Sequence, residues 1–61
     1  MYVARDRNGD LYLYMEKPIK GNRYWLPKYN DNEFLKIHCR LFPIVNWEDE
    51  EPTEVELVKK L

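Results

Sequence analysis

Apolar and polar side chains alternate along several short stretches of this chain, and an alternation of period two is typical of β-strands. The first two stretches, residues 2–5 and 11–16, flank an Asn-Gly pair at positions 8 and 9. Such a pair between alternating segments is the strongest short-range signal of a β-hairpin with a two-residue type I′ turn. We therefore predict a hairpin in which Arg5 pairs with Tyr12.

This register assigns the side chains of the hairpin to two faces, because successive residues of a strand point in opposite directions. One face collects apolar residues suited to a core: Tyr2, Ala4, Leu11, Leu13 and Met15. The other collects Val3, Tyr12 and Tyr14, with Arg5 at its rim. Aromatic residues beside arginine suit a recognition surface, whereas a small two-sided sheet often needs both faces in order to fold. Both interpretations of the second face remain open.

The same stretch carries Asp6, Asn8 and Asp10 at the spacing of the first three ligands of a calcium-binding loop. That loop also needs Gly at its sixth position and a bidentate Glu at its twelfth. Leu11 and Lys17 occupy these positions. The hairpin is therefore favoured over calcium, and we predict no metal site and no cofactor.

Later segments also favour strands. Short β-favouring stretches occupy residues 23–26, 33–39 and 44–47, a turn is predicted at 20–22, and residues 48–52 form an acidic turn. The stretch at 33–39 also fits a short helix, and we favour the strand. The tail, residues 53–61, fits a helix through a capping box and fits a strand through its alternation, and we favour the strand. The expected fold is one all-β or β-rich domain spanning residues 1–61. It is an antiparallel meander of five to six short strands that forms a small sandwich or open barrel.

Composition excludes several classes of protein. A chain of 61 residues with one cysteine has no internal disulfide, and one cysteine with one histidine cannot supply the four ligands of a structural zinc site. No run has the length or hydrophobicity of a signal peptide or membrane span, so we expect a cytoplasmic protein that does not insert into membranes.

Catalytic chemistry is not expected. His38 and Cys39 are adjacent, but neighbouring side chains on a strand point to opposite faces and cannot share a proton. We expect Cys39 to be buried and His38 to be exposed. The two glycines lie in predicted turns and form no phosphate-binding loop. We predict that the protein is not an enzyme.

Charge is distributed unevenly. Residues 1–45 carry a net charge of +3 and residues 46–61 carry −4, which together give the overall −1. The acidic run is Glu48, Asp49, Glu50 and Glu51. It is either a solvated loop or a source of electrostatic complementarity for a partner.

A basic and aromatic cluster suggests nucleic-acid binding. Arg23, Tyr24, Trp25 and Lys28 interleave positive charge with rings on which bases stack. The net negative charge of the chain disfavours this interpretation, because dedicated nucleic-acid binders carry a basic surplus.

The segments YVARDRNGDLYLYMEKP and LFPIVNWEDEEPTEVELV, with the YW pair between them, cover most of the chain. In these segments the chain resembles a family of short uncharacterised proteins from gut-type bacterial genomes and their phages or mobile elements. The resemblance implies no activity, cofactor or site. It implies a setting in which small accessory proteins often bind and modulate host machinery.

Three hypotheses follow. The first is a non-enzymatic protein-interaction module, encoded by a phage or mobile element, that binds a host protein. Its anchors would be Val3, Arg5, Tyr12 and Tyr14, or Trp25 and Trp47, with the acidic residues Glu48, Asp49, Glu50 and Glu51. The second is a single-stranded nucleic-acid binder that uses Arg23, Tyr24, Trp25 and Lys28. The third is a self-assembling structural protein whose strand edges or tyrosine face form a homo-oligomer.

Overall fold

The computed structural model describes residues 1–28 and 34–56. Six strands lie in this part of the chain: β1 (Tyr2–Arg5), β2 (Leu11–Tyr14), β3 (Ile19–Lys20), β4 (Trp25–Leu26), β5 (Phe34–Ile37) and β6 (Thr53–Glu54). The described ranges contain no helix. The predicted β-rich fold class is confirmed.

The strands form two antiparallel sheets. Four of them make the main sheet in the order β5-β2-β1-β6, and β3 pairs with β4 in a separate hairpin. The order departs from a simple meander because the β3-β4 hairpin leaves the main sheet. The chain then returns to the free edge of β2 as β5, and later to the free edge of β1 as β6.

The β1-β2 hairpin forms, but its register differs by one residue from the prediction. Arg5 pairs with Leu11 and not with Tyr12. The loop contains three residues, 7–9, because the Asp6 N–H donates to the Asp10 carbonyl at 2.8 Å and the Gly9 N–H donates to the Asp6 carbonyl at 2.9 Å. Gly9 has a φ of +97°, as expected for the left-handed residue that closes a three-residue hairpin loop after a type I turn.

The shift in register moves β1 to the opposite face, because side chains alternate with a period of two. Val3 now lies opposite Leu13, on the aliphatic face of the sheet. Tyr2 and Ala4 instead lie opposite Tyr14 and Tyr12. The predicted face that joins Val3 to the two tyrosines is therefore wrong.

The aliphatic face carries the first core. Val3, Leu11 and Val45 are buried there, and the partly buried residues Leu13, Ile37 and Val55 pack against them. Val45 reaches this core from the loop of residues 38–45, which contains two successive turns, with hydrogen bonds from Leu41 to His38 and from Val45 to Phe42. The loop thus covers one side of the main sheet.

The aromatic face carries the second core. Ala4, Tyr14 and Trp25 are buried, and Tyr2, Tyr12 and Trp47 pack against them. Trp25 belongs to β4, so the β3-β4 hairpin covers this side of the sheet. Both faces of the main sheet are consequently used in folding.

Several predicted boundaries need correction. Residues 44–47 are not a strand, because the Asp49 N–H donates to the Asn46 carbonyl and the Asn46 N–H donates to Asp49 Oδ2, which closes a turn. The segment predicted at 23–26 is a strand only at Trp25–Leu26. Ile19–Lys20 forms a strand that was not predicted, and Lys20 belongs to it and not to the turn predicted at 20–22. The tail is a strand at Thr53–Glu54, and residues 57–61, like residue 33, lie outside the described part.

Candidate interaction surface

The tyrosine face predicted for recognition is largely inside the molecule. Val3 is fully buried and Tyr14 is nearly so. The Tyr14 hydroxyl donates to the Trp25 carbonyl at 3.3 Å, and burial raises the pKa of this hydroxyl. Tyr12 is half-buried in the same core. The structure thus gives the aromatic face the folding role that the sequence left open, and Val3 and Tyr14 are not available to a partner.

Arg5, predicted at the rim of a binding face, instead fastens the 38–45 loop to the sheet. Its Nε donates to the Val45 carbonyl at 2.7 Å. Its Nη1 donates to the carbonyls of Gly9 at 2.8 Å and Cys39 at 2.9 Å. Further, longer bonds run from Nη2 to the carbonyls of Leu41 and Phe42. The guanidinium is committed to these internal bonds, so Arg5 is a structural residue.

Trp25 is also internal, in contrast to its predicted role as an anchor or stacking ring. It is 4% exposed. Its indole Nε1 donates to the Arg5 carbonyl at 3.0 Å, and its backbone N–H donates to Asp6 Oδ1 at 2.8 Å. Burial raises the pKa of the Asp6 carboxyl, the hydrogen bond from Trp25 opposes that rise, and the nearby charge of Asp10 adds to it. These bonds seat the β3-β4 hairpin against the turn of the first hairpin.

Trp47 is held by Lys20 and is not a free anchor. The Lys20 ammonium lies 4.4 Å from the centroid of the Trp47 ring and 5.7 Å from that of the Trp25 ring. It also donates to the carbonyls of Trp47 and Asp49, the latter at 2.8 Å. One cation thereby joins two rings and the start of the acidic segment, an arrangement in which cation–π attraction and hydrogen bonding act together.

The acidic segment is only partly available. Glu51 forms an ion pair with Lys17 at 2.9 Å, and the Asp49 carboxylate accepts the Asn46 N–H. Glu48 and Glu50 are exposed. Of the four predicted acidic residues, these two are the ones whose charge is not used in the ion pair with Lys17 or in the hydrogen bond with Asn46.

An exposed apolar patch lies on the outer face of the β3-β4 hairpin. Ile19 lies directly opposite Leu26, and Lys20 lies opposite Trp25. Since Lys20 and Trp25 point inward, Ile19 and Leu26 point outward, and they are 56% and 50% exposed. Tyr24 lines a shallow surface depression together with Leu26 and is 53% exposed. We call Ile19, Tyr24 and Leu26 the hairpin patch.

A shallow cleft adjoins the hairpin patch and is lined by Arg7, Asn8, Arg23 and Tyr24. The Arg7 N–H donates to the Arg23 carbonyl at 3.1 Å, which ties together the tips of the two hairpins. Both arginines are exposed. The cleft therefore places two positive charges beside an accessible tyrosine, at the edge of the apolar patch.

A second exposed apolar group lies on the outer edge of the main sheet. Phe34 and Leu35 in β5 are 40% and 62% exposed. Phe34 continues the aromatic row of the second face, with ring centroids 5.8 Å from Tyr14 and 6.0 Å from Tyr12. Leu35 lies opposite Leu13 on the aliphatic face.

The calcium-like stretch and the His38-Cys39 pair form neither a metal site nor a shared reactive site among the described residues. In the calcium-like stretch, the Asn8 side chain bonds to Asp10 while Asp6 is buried against Trp25. Across residues 1–28 and 34–56, no group of three His, Cys, Asp or Glu side chains is arranged to hold a metal ion. His38 is exposed as predicted, whereas Cys39 is exposed and not buried, because β5 ends at Ile37 and Cys39 falls in the following turn.

Of the hairpin patch, the sequence predicts only Tyr24 as a binding residue, within the nucleic-acid cluster; Ile19, Leu26 and the residues of β5 are not named among the predicted binding residues. A signal for the patch is present in the sequence: Ile19, Leu26 and the turn between them have the form of a second hairpin. A signal for the correct register is also present, because Asp at the first position and Gly at the fourth of Asp6-Arg7-Asn8-Gly9 favour a type I turn.

No protein-family model, curated protein or solved structure matches this chain. Within the described ranges, no helix is both long and apolar enough to cross a membrane. The arrangement of the residues themselves is therefore the basis for a function.

Proposed function

We propose that this chain is a non-enzymatic protein-interaction module that binds another protein through the hairpin patch. The observation that supports it best is the exposure of Ile19, Tyr24 and Leu26, each half exposed or more. Ile19 lies opposite Leu26 on the outer side of the hairpin, and Tyr24 lies beside Leu26. Contiguous exposed apolar residues rimmed by charge are typical of protein-binding surfaces. The proposal keeps the function predicted from sequence and moves it to a different surface.

The surroundings of the patch indicate the chemistry of the partner. Arg7 and Arg23 line the cleft beside Tyr24, so the partner would present an apolar surface with acidic residues at one side. The genomic setting implied by the family resemblance, a phage or mobile element, would make a host protein the partner.

Paired threonine substitutions test the proposal. Ile19→Thr with Leu26→Thr removes apolar surface from both members of the cross-strand pair while keeping side chains that favour strands. Each buried aliphatic side chain contributes about 1.5–3 kcal/mol, so the double variant should lose at least about ten-fold in affinity for a captured host protein. The measurement is crosslinking and quantitative capture from host lysate, followed by titration with the purified partner.

Ile44→Thr is the matched control, because Ile44 is 79% exposed but lies in the loop on the other side of the sheet. The control should bind as the unaltered chain does. If the control and the double variant bind equally, with unchanged circular dichroism, the hairpin patch is not the binding surface.

Single-stranded nucleic acid is a second candidate ligand, favoured by the cleft of Arg7, Arg23 and Tyr24. Trp25 no longer contributes, since it is buried, and Arg7 takes its place among the lining residues. A labelled oligonucleotide should then show an increase in anisotropy that salt weakens and that Arg7→Ala with Arg23→Ala removes. An anisotropy that stays flat at low salt rejects this function.

A further inference from the structure

Strand β5 forms one edge of the main sheet. The hydrogen bonds of the first hairpin show which backbone groups of β5 point towards β2 and which point outward. The bond from Asp6 N–H to the Asp10 carbonyl marks residues 6 and 10 as a hydrogen-bonded pair. Hydrogen-bonded and non-hydrogen-bonded pairs alternate along antiparallel strands. The backbone groups of Leu11 and Leu13 therefore point away from β1 and towards β5.

The partners of Leu11 and Leu13 in β5 are Ile37 and Leu35. The backbone N–H and C=O groups of Ile37 and Leu35 therefore form hydrogen bonds with β2. By the same alternation, the N–H and C=O groups of Phe34 and Lys36 point outward. No strand among the described residues pairs with that side of β5. An edge of this kind is a template for another strand.

The side chains of β5 match a second copy of the same strand. In an antiparallel pair related by a two-fold axis through Leu35, each leucine lies opposite its counterpart. Phe34 of one copy then lies opposite Lys36 of the other. The backbone N–H and C=O groups of both residues point outward, as they must in a hydrogen-bonded pair. The pair of leucines would cover the most exposed apolar side chain of the strand, which is 62% exposed.

Charge selects this register over the one centred on Lys36. A two-fold axis through Lys36 also satisfies the backbone phase, but it places two lysines directly opposite each other, which is destabilising. The axis through Leu35 sets each lysine near a phenylalanine ring, where a cation is attracted. Lys36 on an edge usually discourages pairing, but here Asp10 lies 3.6 Å from its ammonium and offsets part of the charge.

We propose that the protein self-associates by antiparallel pairing of β5 with β5 of a second copy, centred on Leu35, which joins two four-stranded sheets into one of eight strands. The contact is small, so the dimer is weak and concentration-dependent. It gives the self-assembly hypothesis a defined edge and register, and it excludes the tyrosine face, which Trp25 covers. It uses a different strand from the hairpin patch and is independent of the proposed function.

Disulfide trapping in the full chain tests both the contact and the register. The exposed Cys39 is first replaced by Cys39→Ser, and Leu35→Cys or Lys36→Cys is added to that chain. A non-hydrogen-bonded pair has its Cα atoms about 4.5 Å apart, which suits a disulfide, whereas a separation above about 7 Å does not. In the proposed dimer the two residues 35 meet, and the two residues 36 are diagonal neighbours at about 7–8 Å.

With oxidised glutathione as the oxidant, Leu35→Cys should form covalent dimers at least about ten times faster than Lys36→Cys. Sedimentation of the Cys39→Ser chain should show a mass that rises with concentration, and Leu35→Lys should remove that rise. Equal crosslinking rates for the two cysteine variants, faster crosslinking at position 36, or a monomer at every concentration would each overturn the proposal. Both substituted positions are exposed, so the variants should retain the fold, which circular dichroism checks.

Discussion

Replacing Arg5 by alanine should destabilise the protein more than the loss of any other charged side chain that reaches the surface. The guanidinium donates to carbonyls on both sides of the 38–45 loop, from Cys39 to Val45, and to Gly9 in the hairpin turn. The loop it holds contains Phe42 at a φ of 49°, a left-handed conformation that is unfavourable for a side chain of this size. Arg5 therefore fastens the loop that carries Val45 into the first core.

The size of the effect can be worked out from these bonds. The bonds to Val45 and Gly9 lie in a partly buried environment, whereas the other three are exposed and can be replaced by water. Counting only the first two, at about 1–1.5 kcal/mol each, gives a loss of about 2–3 kcal/mol. A domain of this length is stable by roughly 3–9 kcal/mol, and such a loss lowers its Tm by about 8–24 °C.

Urea denaturation followed by tryptophan emission measures this loss, because Trp25 is buried in the native protein. Arg5→Lys should lose about 1–2 kcal/mol, since an ammonium keeps the charge but not the planar set of donors. Arg7→Ala, two residues along the chain and exposed, is the control. A difference between Arg5→Ala and this control of less than about 0.5 kcal/mol would refute the structural role of Arg5.

Three further predictions concern substitutions of single residues. Burial raises the pKa of Asp6 in the folded protein. The contribution of Asp6 to the free energy of unfolding is therefore complete below about pH 4 and is lost as pH rises through the pKa of the folded protein. Asp6→Asn keeps an acceptor for the Trp25 N–H, so this variant should gain stability relative to the unaltered chain as pH rises to neutrality. Asp6→Ala removes the acceptor and should lose about 1–3 kcal/mol of stability. Parallel pH profiles of the urea midpoints of Asp6→Asn and the unaltered chain would contradict the first expectation. Gly9→Ala should cost about 1–2 kcal/mol from backbone strain alone, since φ is +97° and no atom lies within 4 Å of the added Cβ, and an unchanged midpoint would contradict it. Lys20→Met should release Trp47 and shift tryptophan emission to longer wavelength, with a loss of about 1–2 kcal/mol; an unshifted spectrum would show that Lys20 does not hold the ring.

The alternation of side chains was sufficient to predict the fold class, the first hairpin and a strand at Phe34–Ile37. These elements follow from local chemistry: β-favouring residues, a turn pair and the spacing between them. The strand at Ile19–Lys20 depends on a contact distant in the sequence, whereas the turn at Asn46 depends on a side-chain hydrogen bond three residues away, which the β-favouring side chains of residues 44–47 did not indicate. Lys20 is fixed by Trp47, and Asn46 by Asp49 at the end of its turn.

The predicted tyrosine face was wrong because the residues on it depend on the register of one turn. A loop of three residues and a loop of two residues both place Gly9 in a left-handed conformation, and they differ only in which face receives β1. The sorting of side chains distinguishes them: the observed register gathers Val3, Leu11 and Leu13 on one side and the tyrosines on the other. Uniform side-chain chemistry on each face was therefore a better guide to register than the turn pair alone.

Aromatic residues are poor guides to the binding surface of a domain this small. Trp25, Tyr14 and Trp47 have the composition of interface anchors, yet a chain with two thin cores needs its largest side chains to cover the sheet on both sides. The side chains left exposed are mainly aliphatic, such as Ile19 and Leu35, at positions where the sheet or hairpin has no further layer to cover them. Substituting a tryptophan would therefore remove stability and binding together, whereas changes at exposed positions such as Ile19 and Leu26 can separate the two.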